Sequence, residues 1–573
     1  VPDVTRRSLL LAGAGGLALL SLGGITQGGL SARASATVPR AISTAGTTLE
    51  QTASAAASTG YRRLVAGPGF PLVVREELAR ARTARDTRTG LASIVQFTDL
   101  HMIDAQSPMR LEFLAATAPP FFRPHESLGT HAAARLVSRV NRIANGPFSG
   151  RAFDCVVSTG DNSDNNEALE LQWFLTAMSG GEITANSGSA TEWEGVQDTG
   201  DPLYYNPERA STDRYKRAGF PRIDGFFGRV IRPHTSEGLK APWYSVFGNH
   251  DDSIGGTIPA QWIPLEELYT GSTKFTGFTT DAANASLASG LAAHTPSRLG
   301  RDAKVDRRWQ VTADARRRPF SPREFMTAHL DPIVTGAGPV GHGFTRDAAA
   351  AGIAYYTFPI APGVTGVSLD STNRGGWTRG SLGTEQFRWL EGVLRAGSST
   401  YYDAGGARVS QAASDQLFVL FSHHTSGSMD NPTPDPAHPA EARHLGPEIV
   451  ALVQRFPNVL AWVNGHTHTN AITPRPGPTP ERGFWEINTA SHIEFPQQAR
   501  IVEVCDNHDG TLSLFTTLIE SDAPYQASYD DGSQAALASL YREFALNDLN
   551  YTGSHEGLPK DHNTELLLAH PLA

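Results

Sequence analysis

Residues 94–101 read Ile94-Val95-Gln96-Phe97-Thr98-Asp99-Leu100-His101, an apolar run of strand length that ends on a carboxylate and an imidazole two positions apart. The pattern recurs. Cys155-Val156-Val157 leads to Asp161, Tyr244-Ser245-Val246-Phe247 to Asn249, residues 417–421 to His423, and residues 459–463 to His466. Each run reads as a buried strand. Between the first two, Leu136, Val137, Val140, Ile143 and Ala144 recur at helical spacing, so residues 132–144 complete a strand-helix-strand unit. Further helices are expected at 167–178, 385–394 and 447–455. Alternation of this kind points to an α/β fold with helix-covered sheets. Ligands in such folds bind outside the carboxyl ends of the strands, where all five polar clusters would converge.

Outside this frame, residues 179–240 and 253–350 interrupt the alternation and read as insertions around the crevice. Residues 37–60, rich in Ala, Ser and Thr, read as a linker or weakly ordered arm within an N-terminal extension to residue 88. The tail holds a strand at 511–519 and a helix at 535–545, and ends in a polar stretch. The expected division is a leader over 1–36, the extension over 37–88, the main domain over 89–520 and a C-terminal extension over 521–573.

The leader reading rests on Thr5-Arg6-Arg7-Ser8-Leu9-Leu10, a Gly/Ala/Leu-rich apolar stretch and Ala34-Ser35-Ala36, which suits a signal peptidase. The paired arginines resemble a twin-arginine export signal, which makes the translocation machinery a partner and the destination secreted or cell-envelope. No later stretch reads as a membrane span. With a formal charge of -10 and no long run of Lys and Arg, the chain repels polyanions, and a nucleic-acid partner is disfavoured. The two cysteines, Cys155 and Cys505, define no disulfide framework. They read either as one bridge or as two buried strand thiols.

The chemistry lies in the ordered set Asp99-Leu100-His101, Gly160-Asp161-Asn162-Ser163-Asp164, Gly248-Asn249-His250-Asp251, His423-His424 and Gly465-His466-Thr467-His468. Carboxylate, amide and imidazole donors suit two ions about 3.5 to 4 Å apart, an arrangement used for phosphoryl transfer. Two ions bring four positive charges against the two carboxylates Asp99 and Asp161, so the remaining field favours a phosphate ester. In an extended segment, Asp99 and His101 would face one side, as would His466 and His468.

Together these blocks resemble the calcineurin-like metallophosphoesterase superfamily, in the form of an exported bacterial, actinobacterial-type member. Val367-Ser368-Leu369-Asp370-Ser371 followed by Gly383-Thr384-Glu385-Gln386 adds minor support. The resemblance implies a two-sheet β-sandwich flanked by helices, with large loop insertions. It implies one ion on Asp99, His101 and His468, a second on Asn249, His423 and His466, and Asp161 bridging both. His424 competes with His423, and family position favours His423. The ions implied are Mn, Fe or Zn, and the reaction is hydrolysis of a small phosphomonoester or phosphodiester by attack of metal-bound hydroxide. His250 would be the general acid and Asp251 the partner that orients it.

Many relatives carry Arg just after the position of Asp164, where this chain has Asn165 and Asn166. A phosphate-clamping guanidinium is missing at that place. Basic residues of the insertions, near His342 or at Arg316-Arg317-Arg318, could replace it or simply form a solvated face. Two other functions stay open: a non-catalytic exported protein that binds metal or ligand on the same scaffold, and a nuclease.

Overall fold

The computed structural model describes residues 38–81, 87–116, 121–259, 266–278 and 307–573, with a few isolated positions between 280 and 290. The expected leader lies outside the described residues. Residues 38–573 form one compact unit of mixed α/β structure built on two large sheets.

The first sheet contains β1 (Val73–Arg75), β2 (Thr89–Phe97), β3 (Cys155–Ser158) and β4 (Trp243–Ser245). The second contains β5 (Tyr356–Ala361), β6 (Val364–Ser368), β7 (Leu417–Phe421), β8 (Val459–Asn464), β9 (Ala471–Arg475) and β10 (Phe484–Asn488). The chain then returns to the first sheet with β11 (Gln498–Asp506), β12 (Thr511–Glu520) and β13 (Thr564–Ala569). The strand orders are β1-β13-β12-β11-β2-β3-β4 and β5-β6-β7-β8-β10-β9. β2, β3 and β4 run parallel to one another, as do β6, β7, β8 and β10. All five motif-bearing strands fall in these two parallel blocks, so their carboxyl ends share a direction within each block.

Strand alternation divides the apolar residues into layers. Ala92, Ile94, Cys155 and Val157 of the first sheet join Val419, Phe421, Ala461, Val463 and Ile487 of the second in one buried cluster. The opposite face of the first sheet, with Val95, Phe97, Val156 and Trp243, meets α1 (Gly129–Ile143) and α2 (Ala168–Ser179). Val367, Leu420 and Trp462 of the second sheet meet α3 (Thr384–Ala396) and α4 (Gly446–Val453). α1 presents Leu136, Val137 and Val140 to the sheet, and it ends where Ala144 takes a left-handed φ of 61° and donates to the Val140 carbonyl. In α4 a proline sits in the first turn, where no intrahelical donor is needed.

Two expectations need correction. The described part of the expected arm, residues 38–60, is not loose, because Gln51–Ala55 pairs with Leu64–Pro68 and the Thr48 hydroxyl reaches the Leu518 carbonyl at 2.9 Å. The helix expected at 535–545 is present, but the end beyond it is not merely a polar stretch. α5 (Gln534–Leu546) buries much of its length, and β13 lies inside the sheet between β12 and β1. The two cysteines are unbridged and buried, on β3 and β11; burial pushes both thiols up.

Arg500 of β11 fastens this tail. Its fully buried guanidinium donates to the His562 carbonyl at 2.8 Å, to the Asp561 carbonyl and Asn470 Oδ1 at 2.9 Å, and to the Thr489 and Thr516 hydroxyls at 3.0 Å. Burial, partly offset by Asp561, lowers its pKa to about 9. Arg500→Met would strand these acceptors without a donor, and we expect a loss of about 3–5 kcal/mol in unfolding free energy, measured by denaturant titration.

Candidate metal centre

Each motif residue follows the carboxyl end of its strand: Asp99 and His101 after β2, Asp161 after β3, Asn249 after β4, His423 after β7, and His466 and His468 after β8. The loops are stitched to one another by backbone bonds. Asp99 N–H donates to the Gly160 carbonyl (3.1 Å), His101 N–H to the Asp161 carbonyl (2.9 Å), and Gly465 N–H to the His423 carbonyl (3.0 Å). His466 N–H donates to the Asp99 carboxylate at 3.1 Å, and His250 N–H donates to Asp161 Oδ1 at 2.9 Å.

The paired residues do not share a side through extended backbone. Asp99, His101, Asp161, His466 and His468 all have positive φ, between 44° and 68°. Non-glycine residues rarely adopt that region, and such strain concentrates where function imposes it. Left-handed turns, rather than strand alternation, aim these side chains inward. Close approach adds a steric requirement at Gly248, where a Cβ would stand 2.2 Å from Asp161 N and 2.3 Å from its Oδ1.

The side chains converge. His423 Nε2 lies 2.9 Å from Asn249 Oδ1, 3.2 Å from Asp161 Oδ2 and 3.2 Å from His466 Nδ1. His101 Nε2 lies 3.7 Å from Asp161 Oδ2 and 3.3 Å from His468 Nε2, which is itself 3.1 Å from Asp99 Oδ1. Asp161 Oδ2 therefore faces an imidazole of each group. Asp99, His101, Asp161 and His468 place one ligand atom apiece within 4.8 Å of one another, as do His423, His424 and His466.

Hydrogen-bond acceptors on the far side of three rings orient them. His101 Nδ1 meets Asp164 Oδ1 at 2.7 Å, His468 Nδ1 meets Glu494 Oε2 at 2.5 Å, and His423 Nδ1 donates to the Thr159 carbonyl at 3.0 Å. With Nδ1–H donated outward, each Nε2 is directed at its neighbours, the orientation from which an imidazole binds a cation. Electrostatics agree. Burial opposes charge on His468, yet Glu494 and Asp99 hold its pKa well above the ordinary imidazole value. Burial likewise opposes charge on His423, which Asp161 and Asp99 raise to about 9. The protein stabilises positive charge at both positions, and the donor set fits metal ions.

His424 lies beside His423 and His466, but both of its ring nitrogens are engaged, Nδ1 2.9 Å from the Ser371 hydroxyl and Nε2 3.2 Å from the Thr378 carbonyl. His250 Nδ1 donates to the Asp164 carbonyl at 2.8 Å, and the ring borders a cavity of about 420 Å³ that reaches His101, Asp161, Asn249, His466 and His468. Asp251 does not orient it. The Asp251 carboxylate instead accepts from the backbone N–H groups of Asn162, Ser163 and Gly248, at 2.9–3.2 Å. It thus ties the Asp161 loop to the Asn249 loop, and burial beside Asp161 raises its pKa to about 6. We assign it a positioning role.

Several residues at the site had escaped the motif reading. Arg110 and Arg123 line the cavity. Arg110 is paired with Asp164 and, at 2.9 Å, with Glu126; Arg123 is paired with Glu494. Burial would raise the Asp164 carboxyl, but Arg110 and His101 hold it well below the usual carboxylate range. Arginines of the segment after His101, rather than Asn165 and Asn166, thus line the cavity. Asn165 donates to Glu170 at 2.6 Å, and Asn166 to the Asp251 carbonyl at 2.9 Å. Among the insertion candidates, His342 stacks on Trp243 with ring centroids 3.5 Å apart and Arg317 is buried against Asp104 and Ser187, while Arg316 and Arg318 lie on the exposed face paired with Asp314 and Glu324. Nothing in their sequence spacing marks Arg110, Arg123 or Glu494, which sit in loops without periodicity.

Because Glu494 holds His468 by its outward nitrogen, Glu494→Gln should weaken metal binding about 10–100-fold without unfolding the chain. Metal titration of the variant against the parent protein checks this.

No family model and no curated protein matches the chain. Among solved structures, a dimetal phosphatase from Danio rerio is similar to it over 75% of this chain and 99% of its own, with 11% identity and a TM-score of 0.34.

Proposed function

We propose that the chain is a dinuclear metal-dependent phosphoesterase that hydrolyses small phosphate esters. The observation that carries this reading is the meeting of two donor groups, Asp99, His101 and His468 on one side and Asn249, His423 and His466 on the other, with Asp161 Oδ2 between His101 and His423, beside an open cavity. The same order of motifs, and two sheets that share one apolar layer as a sandwich would, are in keeping with it. Asp99, His101, His468 and Asp161 would hold one ion, and Asn249, His423, His466 and Asp161 the other. Bound ions of this kind polarise a phosphoryl oxygen and make water acidic enough to ionise near neutral pH.

The chain's own groups account for the remaining chemistry. Arg110 and Arg123 place guanidinium groups on the cavity wall, where a phosphate oxygen can be oriented. Their carboxylate partners hold both in place. With Nδ1–H fixed on the Asp164 carbonyl, a second proton on His250 sits on Nε2, ready to pass to the leaving ester oxygen as its P–O bond breaks. Water supplies the new P–O bond, and its released proton replaces the one His250 gave, so the products are a phosphate and an alcohol.

The test is turnover of p-nitrophenyl phosphate and bis(p-nitrophenyl) phosphate by protein loaded with Mn²⁺, together with elemental analysis of the purified protein. We expect two metal equivalents and chelator-sensitive hydrolysis of at least one ester. Absence of bound metal, or hydrolysis indifferent to chelator, would overturn the reading.

A further inference from the structure

The turn that opens the second insertion reaches back to the residues just before it. Ser253-Ile254 pairs antiparallel with Ile258-Pro259, and Thr257 N–H donates to the Ile254 carbonyl at 3.2 Å. Gly255 and Gly256 at its tip take φ of 54° and 63°, the left-handed region that glycine enters without strain. The hairpin is held from two sides. Ile254 and Ile258 pack with Tyr269, and the Thr257 carbonyl accepts the Trp377 N–H at 2.8 Å.

Gly256 is the point of contact. Its carbonyl accepts from Asn249 Nδ2 at 3.0 Å, and the other end of that amide, Oδ1, lies 2.9 Å from His423 Nε2. A carbonyl oxygen only accepts, so it selects the amide orientation. Turned the other way, Asn249 would set two oxygens against each other and offer the metal site an N–H group, which binds no cation. Gly256 also lies against the edge of His250. A Cβ there would stand 2.2 Å from His250 Cδ2, 2.4 Å from its Nε2 and 2.6 Å from Asn249 Nδ2. Any side chain at 256 must therefore displace the ring, the amide or the turn.

We propose that Gly256 is a positioning residue for both groups: its carbonyl turns the Asn249 oxygen toward the second ion, and its bare Cα leaves the Nε2 edge of His250 open. The assignment rests on the two-ion phosphoesterase reading above. The first turn of the insertion thereby belongs to the site itself.

Gly255→Ala is the control for Gly256→Ala. Both put an alanine in the left-handed region of one turn, but a Cβ at 255 meets the Phe121 ring, 3.3 Å away at Cε1, instead of Asn249 and His250. Metal titration should show one of the two equivalents weakened about 10–100-fold in Gly256→Ala, the loss expected when a ligand's outer support is removed, and far less in Gly255→Ala. Metal-loaded Gly256→Ala should also slow a phenyl ester more than a p-nitrophenyl ester, because a displaced His250 no longer protonates the poorer leaving group. Equal loss of metal affinity in the two variants, or equal slowing of both esters by Gly256→Ala, overturns the proposal.

A neutron crystal structure of the unsubstituted protein reads the Asn249 amide directly and needs neither a variant nor turnover. Two hydrogens on the atom facing the Gly256 carbonyl support the proposal even if no ester is cleaved; an oxygen in that place refutes it even if every ester is.

Discussion

Asp161→Asn is expected to lower kcat/KM about a thousandfold, equivalent to roughly 4 kcal/mol of lost transition-state stabilisation, and to reduce the bound metal by at least one equivalent. The substitution preserves shape and removes one charge. Asp161 Oδ2 stands 3.2 Å from His423 Nε2 and 3.7 Å from His101 Nε2, while Oδ1 accepts the His250 N–H at 2.9 Å. An amide keeps the neutral contacts but supplies no negative charge between two imidazole groups. Burial disfavours the ionised carboxyl, yet His423 and His250 hold its pKa well below the ordinary value, so the protein invests in keeping this group charged. Elemental analysis and steady-state kinetics on one preparation decide the matter. A variant that retains both metal and rate would show that Asp161 is not shared.

The second large effect depends on the leaving group. His250→Asn should slow hydrolysis of a phenyl or alkyl ester about 100- to 1,000-fold, and slow the p-nitrophenyl ester by less than about tenfold, because nitrophenolate departs without a proton. Proton donation explains this asymmetry and mere binding does not. His250 Nδ1 is committed to the Asp164 carbonyl, so its other nitrogen is the one available to the cavity. A linear free-energy plot of rate against leaving-group pKa is the measurement. Equal losses for all esters would assign His250 to orientation of the ester instead.

Much of this site was legible in the sequence because each ligand follows an apolar strand run, and parallel strands deliver their ends to one rim. The means of delivery was not. Asp99 and His101 look like an extended pair by spacing, but both lie in the left-handed region, which no periodicity encodes. Asp251 is adjacent to His250 in sequence and bonds the neighbouring loop, because the turn at Gly248–Asn249 points the two side chains apart. Arg110, Arg123 and Glu494 carry no local signal, since tertiary pairing with Asp164, Glu126 and His468 brings them in. The last strand of the tail is illegible in sequence for a similar reason, although the strand at 511–519 and the helix at 535–545 are not. Thr564-Glu565-Leu566-Leu567-Leu568-Ala569 lacks a strand's alternation, and it is a strand because a slot between two others buries both of its faces.

The slot has a temporal consequence. β13 is made after the other strands of its sheet yet fits between β12 and β1, and β1 leaves the ribosome about five hundred residues earlier. While residue 569 is still unmade, the first sheet has a gap that only the nascent tail can fill, and Arg500 waits for its carbonyl partners at 561 and 562. Pairings this distant are slow to form and expose unpaired strand edges in the interim. Closure of the first sheet is therefore expected to be a late and slow step of folding, waiting on the pairing of residues 564–569 with a strand about five hundred residues away.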